Sequence, residues 1–439
     1  MSTEYLKSAV PRTPAQDDAT VRTVADILAA VASGREAAAQ RYARELDGHT
    51  GEIVIGAPAL QAASGQLSQG VRDDIAFAHA RVRDFAQRQR DALLEFSAED
   101  VDGLVTGQKL VPVNTAGCYV PGGRYAHAAS AIMSVCTART AGVGHIVATT
   151  PAARDQGVHP AILHALRISG ADTVLALGGA QGIGALALGL FSGRPADVVV
   201  GPGNRFVAEA KRQVFGRVGI DVIAGPTESA IIADDSADPD FVAADLIGQA
   251  EHGVDSPVWL FTTSRSLAEA VLRRVPMLIA SLPASARLAA TQAWHECAEI
   301  VLCDSREAAC EVSDRYAPEH LQVMARDLDW WLAKLTNYGS LFLGEETTVA
   351  FGDKCAGPNH ILPTQGAARY TGGLSVGKFI KTLTWQRMTR AGDRTVAPVA
   401  ARISRLEGME GHARTADLRL RKYYPAEAFD LGTPLSEHS

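Results

Sequence analysis

From His145 onward the hydrophobic period switches back and forth between two residues and 3.6, and no other feature restricts the fold as much. HIVATT (145–150) reads as a strand, HPAILHALRIS (159–169) as a helix, DTVLAL (172–177) as a strand, AQGIGALALGLF (180–191) as a helix, DVVV (197–200) as a strand and NRFVAEAKRQVFGRVG (204–219) as a helix. Strands that alternate with helices form parallel βαβ units in a doubly wound sheet. Two of the turns, LGGAQGIG and VGPGN, are glycine-rich. Such turns let the backbone approach a phosphate at a helix N-terminus.

The alternation returns downstream. VIAGPTESAIIAD (222–234) contains a strand, DPDFVAADLIGQAEHGVDS (238–256) reads as a helix, and PVWLFTT (257–263) as a strand. SLAEAVLRRV (266–275) is then a helix and AEIVLCD (298–304) a strand. Upstream, Thr20–Glu45 reads as an Ala-rich helix broken at Gly34, and Gln66–Phe96 as a second long helical region on Ile75, Ala78, Val82 and Phe85. The expected fold is α/β, with two tandem Rossmann-like parallel-sheet domains, an N-terminal helical arm and a small helical C-terminal lobe. The arm spans 1–20. The first α/β domain takes 21–118 and 228–372, the second 119–227, and the C-terminal lobe 373–439.

With 439 residues, two large lobes are the expectation. A net charge of −7 argues against nucleic acid as a partner, because phosphate binding needs a basic surface. It leaves room for a local cationic pocket. The first residues, MSTEYLKSAVPRTPAQ, carry no secretory pattern, and no apolar run reaches the length of a membrane span. Six scattered cysteines without a CxxC pair point to reduced thiols and a cytoplasmic protein.

Four clusters carry chemistry. Gln249 and His252 are three residues apart near the end of a helix capped by Asp238. They can share a metal or cap the helix, and Asp245 sits one turn earlier to orient a ligand. In YAPEHL, Pro318 suits a first helical position, which would put Glu319 and His320 in the first turn. There the helix dipole keeps the carboxylate ionised and the imidazole neutral, an acid–base pair or a plain polar helix start. FGDKCAGPNHILPT (351–364) reads as an irregular loop holding Asp353 and His360. RLEGMEGHAR contributes Glu407 and His412, a weak signal alone. Gln249, His252, Asp353 and His412 together offer two N and two O donors, a set zinc accepts, but spacing does not bring them together.

Eight motifs in order resemble the histidinol dehydrogenase family: YVPGG (119–123), GGAQ (178–181), GPGNRFVAEAKRQV (201–214), AGPTE (224–228), QAEHG (249–253), APEHL (317–321), GPNHILPT (357–364) and EGMEGH (407–412). The resemblance covers nearly the whole chain. It implies a zinc-dependent, NAD-linked dehydrogenase that oxidises a primary alcohol to a carboxylate in two hydride steps. It puts zinc on Gln249, His252, Asp353 and His412, the acid–base pair on Glu319 and His320, and NAD on Tyr119, Gln181 and Asn204. Substrate contact is expected at His127, Thr227 and Glu407, and at the zinc ligands and His320. It also implies a homodimer whose active sites are completed by the partner's C-terminal lobe. In that scheme zinc holds the substrate oxygen and His320 takes the alcohol proton. Water activated by Glu319 then attacks the bound aldehyde.

The chain departs from the family pattern on the substrate side. Ala129 stands at an expected serine, His127 is unusual, and the serine of AGPSE is Thr227. Lys354 replaces a tyrosine in GDY, and Lys378 stands where an acid is usual. With Arg124, these changes add positive charge, which suits a small anionic alcohol better than cationic histidinol. They resemble the branch that oxidises (R)-2,3-dihydroxypropane-1-sulfonate to 3-sulfolactate with two NAD. A histidinol-oxidising enzyme with neutral substitutions is the alternative. A non-catalytic metal- or nucleotide-binding protein would leave the Glu319–His320 pair unexplained.

Overall fold

The computed structural model describes residues 2–11, 18–122, 126–153, 157–223 and 225–434. In chain order its elements are β1 (Thr3–Lys7), α1 (Asp18–Tyr42) followed by a π turn (Ala43–Asp47), β2 (Val54–Ile55), α2 (Ala57–Gly65), α3 (Gln69–Asp91), β3 (Phe96–Val101), β4 (Leu104–Pro112) and β5 (Thr115–Tyr119). There follow α4 (Ala128–Ala141), β6 (His145–Thr150), α5 (Pro160–Ser169), β7 (Thr173–Ala176), α6 (Gly179–Leu188), β8 (Val198–Val200), α7 (Arg205–Val214), β9 (Gly219–Ile220), β10 (Ser229–Ala233) and α8 (Pro239–Ala250). The chain continues through β11 (Val258–Thr262), α9 (Arg265–Ser281), α10 (Ala284–Glu296), β12 (Glu299–Cys303), α11 (Arg306–Tyr316), β13 (His320–Met324), α12 (Leu328–Lys334), β14 (Ser340–Leu343) and α13 (Val349–Lys354). It ends in β15 (Ile380–Met388), α14 (Arg390–Leu406) and α15 (Glu410–Tyr423).

Two compact units divide the chain, one of Met1–Arg90 with Pro112–Phe379, the other of Asp91–Val111 with Ile380–Ser439. The larger unit carries two six-stranded sheets, ordered β2-β7-β6-β5-β8-β9 and β1-β12-β11-β10-β13-β14. In each, five parallel strands follow the winding 3-2-1-4-5, counted from β5 and from β10, with an antiparallel strand on one edge. This is the winding of doubly wound nucleotide-binding sheets. Apolar runs such as VWLFT on β11 are buried throughout, as parallel strands covered on both faces require. On the first sheet, Val24, Ile27 and Val31 of α1 pack with Ile183 and Leu186 of α6 and Val207 of α7. The expected break at Gly34 is a kink at Arg35, whose φ is 53°.

Three local readings are corrected. Thr3–Lys7, assigned to the arm, is an edge strand: it pairs antiparallel with β12, and Leu6 packs against the core behind it. The helical region ends at Asp91 rather than Phe96. Phe96–Val101 instead forms a hairpin with β4, turning at Asp102-Gly103, where Gly103 has φ 78°. An Asp-Gly pair is a hairpin signal that outweighs the helix-forming composition before it. The smaller unit also holds more than helices. It combines the sheet β15-β4-β3 with α14 and α15, joined by buried Arg405, which pairs with Glu410 (3.1 Å) and Asp417 (2.6 Å). Among the described residues, no helix is long and apolar enough to cross a membrane. Five of the six cysteines are buried and none forms a disulfide.

Candidate active site

The carboxyl ends of β5, β7 and β8 converge on a cleft of about 740 Å³ lined by Tyr119, Gln181 and Asn204 among others. This is the topological switch point, where open α/β sheets bind ligands. Tyr119 ends β5, and its hydroxyl accepts the Gly179 N–H at 3.2 Å. Asn204 caps α7, its Oδ1 accepting the N–H groups of Phe206 and Val207 at 3.0 and 3.2 Å. Gly201, with φ 120°, lies so close to β5 that a Cβ would strike the Tyr119 carbonyl oxygen. The three residues expected at NAD therefore share one cleft.

Beside it lies a second cleft of about 830 Å³, lined by Thr227, His252, Ser256 and Gln365. Gly203, Asn204 and Phe206 line both.

The acid–base pair is not at a helix start. Glu319 immediately precedes β13 and His320 opens it, level with Ser229 of β10 and Ser340 of β14. Ala317 ends α11 with φ 50°, so the turn is complete before Pro318, and the run HLQVM is wholly buried. Apolar burial between two neighbouring strands wins over the proline signal, and the helix-dipole argument for this pair falls with it. The pair stands at the amino ends of its sheet.

Its charges come from neighbours instead. The His320 Nδ1–H donates to the Glu228 carbonyl (3.1 Å), which leaves Nε2 as the basic atom. Nε2 is buried, has no hydrogen-bond partner and lies 3.4 Å from Asp353 Oδ1. Glu319 Oε2 is 3.5 Å from Nδ1 and accepts the Glu228 N–H at 3.0 Å. Burial lifts the Glu319 carboxyl to about 7 against the pull of His320. Burial alone would lower His320, but Glu319 and Asp353 outweigh it and raise the imidazole to about 9. Burial also lifts Glu228 to about 7.

The expected metal ligands divide between the units. Helix α8 stops at Ala250, so Gln249 is in its last turn and His252 lies in the turn beyond, not on the helix. Asp353 sits on the short helix α13, not in an irregular loop. That helix is held from two sides. His360 Nδ1–H donates to the Asp353 carbonyl (2.7 Å) while its Nε2 accepts from Ser130 Oγ (3.0 Å), and Asp245 accepts from Thr348 Oγ1 (3.2 Å). Burial pushes His360 down to about 4, so it serves as a neutral clamp.

Gln249 Oε1 is buried without a hydrogen-bond partner. His252 stands exposed at the cleft and its pKa is lowered, by partial desolvation first, with Asp353 opposing. His412 and Glu407 belong to the other unit and are exposed on it. Among the described residues no three His, Cys, Asp or Glu side chains form a metal-holding group. Gln249, His252 and Asp353 offer oxygen and nitrogen donors that zinc accepts, one short of a tetrahedral set.

On the substrate side, Thr227 lines the second cleft and His127 immediately precedes α4 without a side-chain hydrogen bond to its first turn. Partial burial lowers the His127 pKa, and the Lys354 and His252 charges lower it further. Lys354 also acts on His252, Asp353 and His360. Arg124 lies outside the described residues. The clamp role of His360 was not legible in the sequence, although the residue was. Its spacing gives no hint of Ser130 as partner.

The Histidinol dehydrogenase family profile matches residues 10–420. The chain belongs to the histidinol dehydrogenase family. It is 55% identical over 431 residues to a sulfopropanediol 3-dehydrogenase of Ruegeria pomeroyi, spanning 98% of this chain and 99% of that one. A histidinol dehydrogenase of Thermus thermophilus is 40% identical over 418 residues, 95% of this chain and 98% of the other. The crystal structure of histidinol dehydrogenase from Elizabethkingia anophelis matches with a TM-score of 0.88 at 31% identity, over 94% of each chain. This family member is an NAD-dependent oxidoreductase acting on a CH–OH group, in a family that takes an alcohol to an acid in two NAD-linked steps.

Proposed function

We propose that this enzyme oxidises (R)-2,3-dihydroxypropane-1-sulfonate to 3-sulfolactate with two NAD, in the cytoplasm. The observation that carries the reading is the 55% identity to a sulfopropanediol 3-dehydrogenase, against 40% to the Thermus histidinol dehydrogenase. Lys354 supports it. Its positive charge lowers the pKa of four groups, His127, His252, Asp353 and His360, and a cation there favours a sulfonate over the charged amine of histidinol.

NAD is assigned to the cleft of Tyr119, Gln181 and Asn204. Zinc is assigned to Gln249, His252 and Asp353, with His412 of a second copy as the fourth donor of a homodimer. Bound there, zinc would supply a Lewis acid that polarises the alcohol oxygen. The rest is work for side chains. His320 Nε2 takes the hydroxyl proton, while the Glu228 carbonyl holds its ring in the right tautomer. Glu319, ionised, draws a proton from water at the aldehyde stage. His127, Thr227, Lys354 and Glu407 orient the substrate.

The test measures NADH formation with dihydroxypropanesulfonate and with histidinol, before and after chelation. The sulfonate diol should be favoured by orders of magnitude, and chelation should abolish turnover. A preference for histidinol would overturn the substrate, and activity indifferent to chelation would overturn the zinc assignment. Lys354→Met should raise KM for the sulfonate roughly tenfold, the worth of one charge-assisted hydrogen bond, with little change in kcat. An unchanged KM removes Lys354 from the substrate site.

A pH profile follows from the same pair. His320 works as a base only when deprotonated, and Glu319 only when ionised. Turnover should therefore climb as pH rises through about 7, keep climbing through about 9 and level off only above that. A profile falling over that range would contradict both roles.

A further inference from the structure

The nucleotide cleft contains a carboxylate that the catalytic scheme leaves unused. Asp47 ends the π turn after α1 and lines the cleft with Tyr119, Gln181 and Asn204. Its Oδ2 accepts the Gly178 N–H and the Gln181 Nε2–H, both at 3.1 Å. These bonds tie it to the glycine-rich turn between β7 and α6. Gly178 is required there: a Cβ would stand 2.6 Å from Pro151 Cβ and 3.1 Å from Asp47 Oδ1. The carboxylate is half-buried, and its Oδ1 accepts none of the hydrogen bonds that hold the side chain.

Among the described residues that line the cleft there is no lysine, arginine or histidine, and Asp47 is the one carboxylate. Arg205, next to Asn204, lines the neighbouring cleft instead and stacks on Phe206. In doubly wound sheets the ribose of NAD is held by an acid after the second strand, while a 2′-phosphate needs an arginine nearby. Here the second parallel strand, β6, ends in Thr149-Thr150 and runs into Pro151-Ala152-Ala153, and the Arg154-Asp155 pair that comes next in the sequence lies outside the described residues. Among the described residues, the acid that lines the cleft comes from the turn after the N-terminal helix.

We infer that the Asp47 carboxylate accepts the ribose hydroxyls of the dinucleotide and sets the preference of this enzyme for NAD over NADP. The ribose diol gives two donors to an acceptor already oriented by Gly178 and Gln181. A 2′-phosphate would remove one donor and set a dianion against the carboxylate in a partly desolvated cleft, where like charges repel strongly. This inference rests on the placement of NAD in the Tyr119–Gln181–Asn204 cleft.

The experiment titrates the full-length enzyme with NADH and with NADPH by nucleotide fluorescence, without any alcohol, so the substrate assignment does not enter. Wild type should favour NADH at least a hundredfold. Asp47→Asn, which keeps an oxygen for the Gly178 N–H, should weaken NADH roughly ten- to hundredfold and narrow the NADH/NADPH ratio by at least tenfold, as loss of hydrogen bonds to a charged acceptor implies. Asp47→Ser removes the same charge with a smaller side chain and serves if the asparagine variant does not fold. Asn204→Ala, at another residue lining the cleft, should weaken NADH and NADPH alike. If Asn204→Ala weakens both while the Asp47 variants keep the wild-type ratio, the cleft stands and the role of Asp47 falls. If Asn204→Ala and Asp47→Asn both leave NADH affinity unchanged, NAD lies elsewhere and the two readings fall together.

Discussion

His320→Ala should lower kcat by roughly a thousandfold, within the range for losing a positioned general base. The enzyme should still fold, bind NADH and retain the zinc proposed for Gln249, His252 and Asp353. The expectation rests on tautomer and isolation. Nδ1–H is committed to the Glu228 carbonyl, and Nε2 is buried without a hydrogen-bond partner, so one basic nitrogen is presented. Removing the ring also leaves Glu319 and Asp353 without the imidazole between them. Glu319 should then titrate higher, and the small residual activity should rise with pH in the single step of its ionisation. Steady-state kinetics over pH, with circular dichroism and metal analysis on the same samples, decides the matter. A loss under tenfold would mean that another group takes the proton.

Lys211→Met should destabilise the fold by about 3–5 kcal/mol, the usual consequence of removing one partner of a buried ion pair. Lys211 is 1% exposed, is paired with Asp221 and donates to the Gly201 carbonyl at 2.9 Å. Asp221 in turn accepts the Gly201 N–H at 2.8 Å. The pair thus grips both polar groups of the residue that presses against Tyr119 and leads into the Asn204 cap. Methionine matches the aliphatic stem but strands the Asp221 carboxylate. Denaturant unfolding followed by far-ultraviolet dichroism measures the loss, and restoring neutrality with Lys211→Met/Asp221→Leu should recover part of it. A change below about 1 kcal/mol would show that water reaches the site and solvates the remaining charge.

The tandem parallel architecture was legible because its causes are local. Strands such as HIVATT and VWLFT are short, apolar and β-branched or aromatic, and helices such as Pro239–Ala250 carry their own caps. The motif residues were equally visible, because glycines and polar groups in apolar surroundings stand out without a structure. Where two local signals competed, the reading failed. Pro318 looked like a helix start, yet burial of HLQVM between β10 and β14 makes a strand. Asp102-Gly103 turned a helical-looking run into a hairpin.

The amino-acid sequence by itself determined the alternation of strands and helices from His145 to Asp304, the glycine-rich turns and the identity of the chemically capable side chains, since each depends on neighbours a few residues apart. Only the tertiary structure decided that Asp47 faces Gln181 across 134 positions of chain, and that His360 bridges Asp353 and Ser130. It also decided that Glu319 and Asp353 raise the pKa of His320, where a helix start was expected to keep the ring neutral. Hydrogen bonds and Coulomb interactions act over a few ångströms of space, and the winding of the sheets, not spacing along the chain, sets which groups come that close.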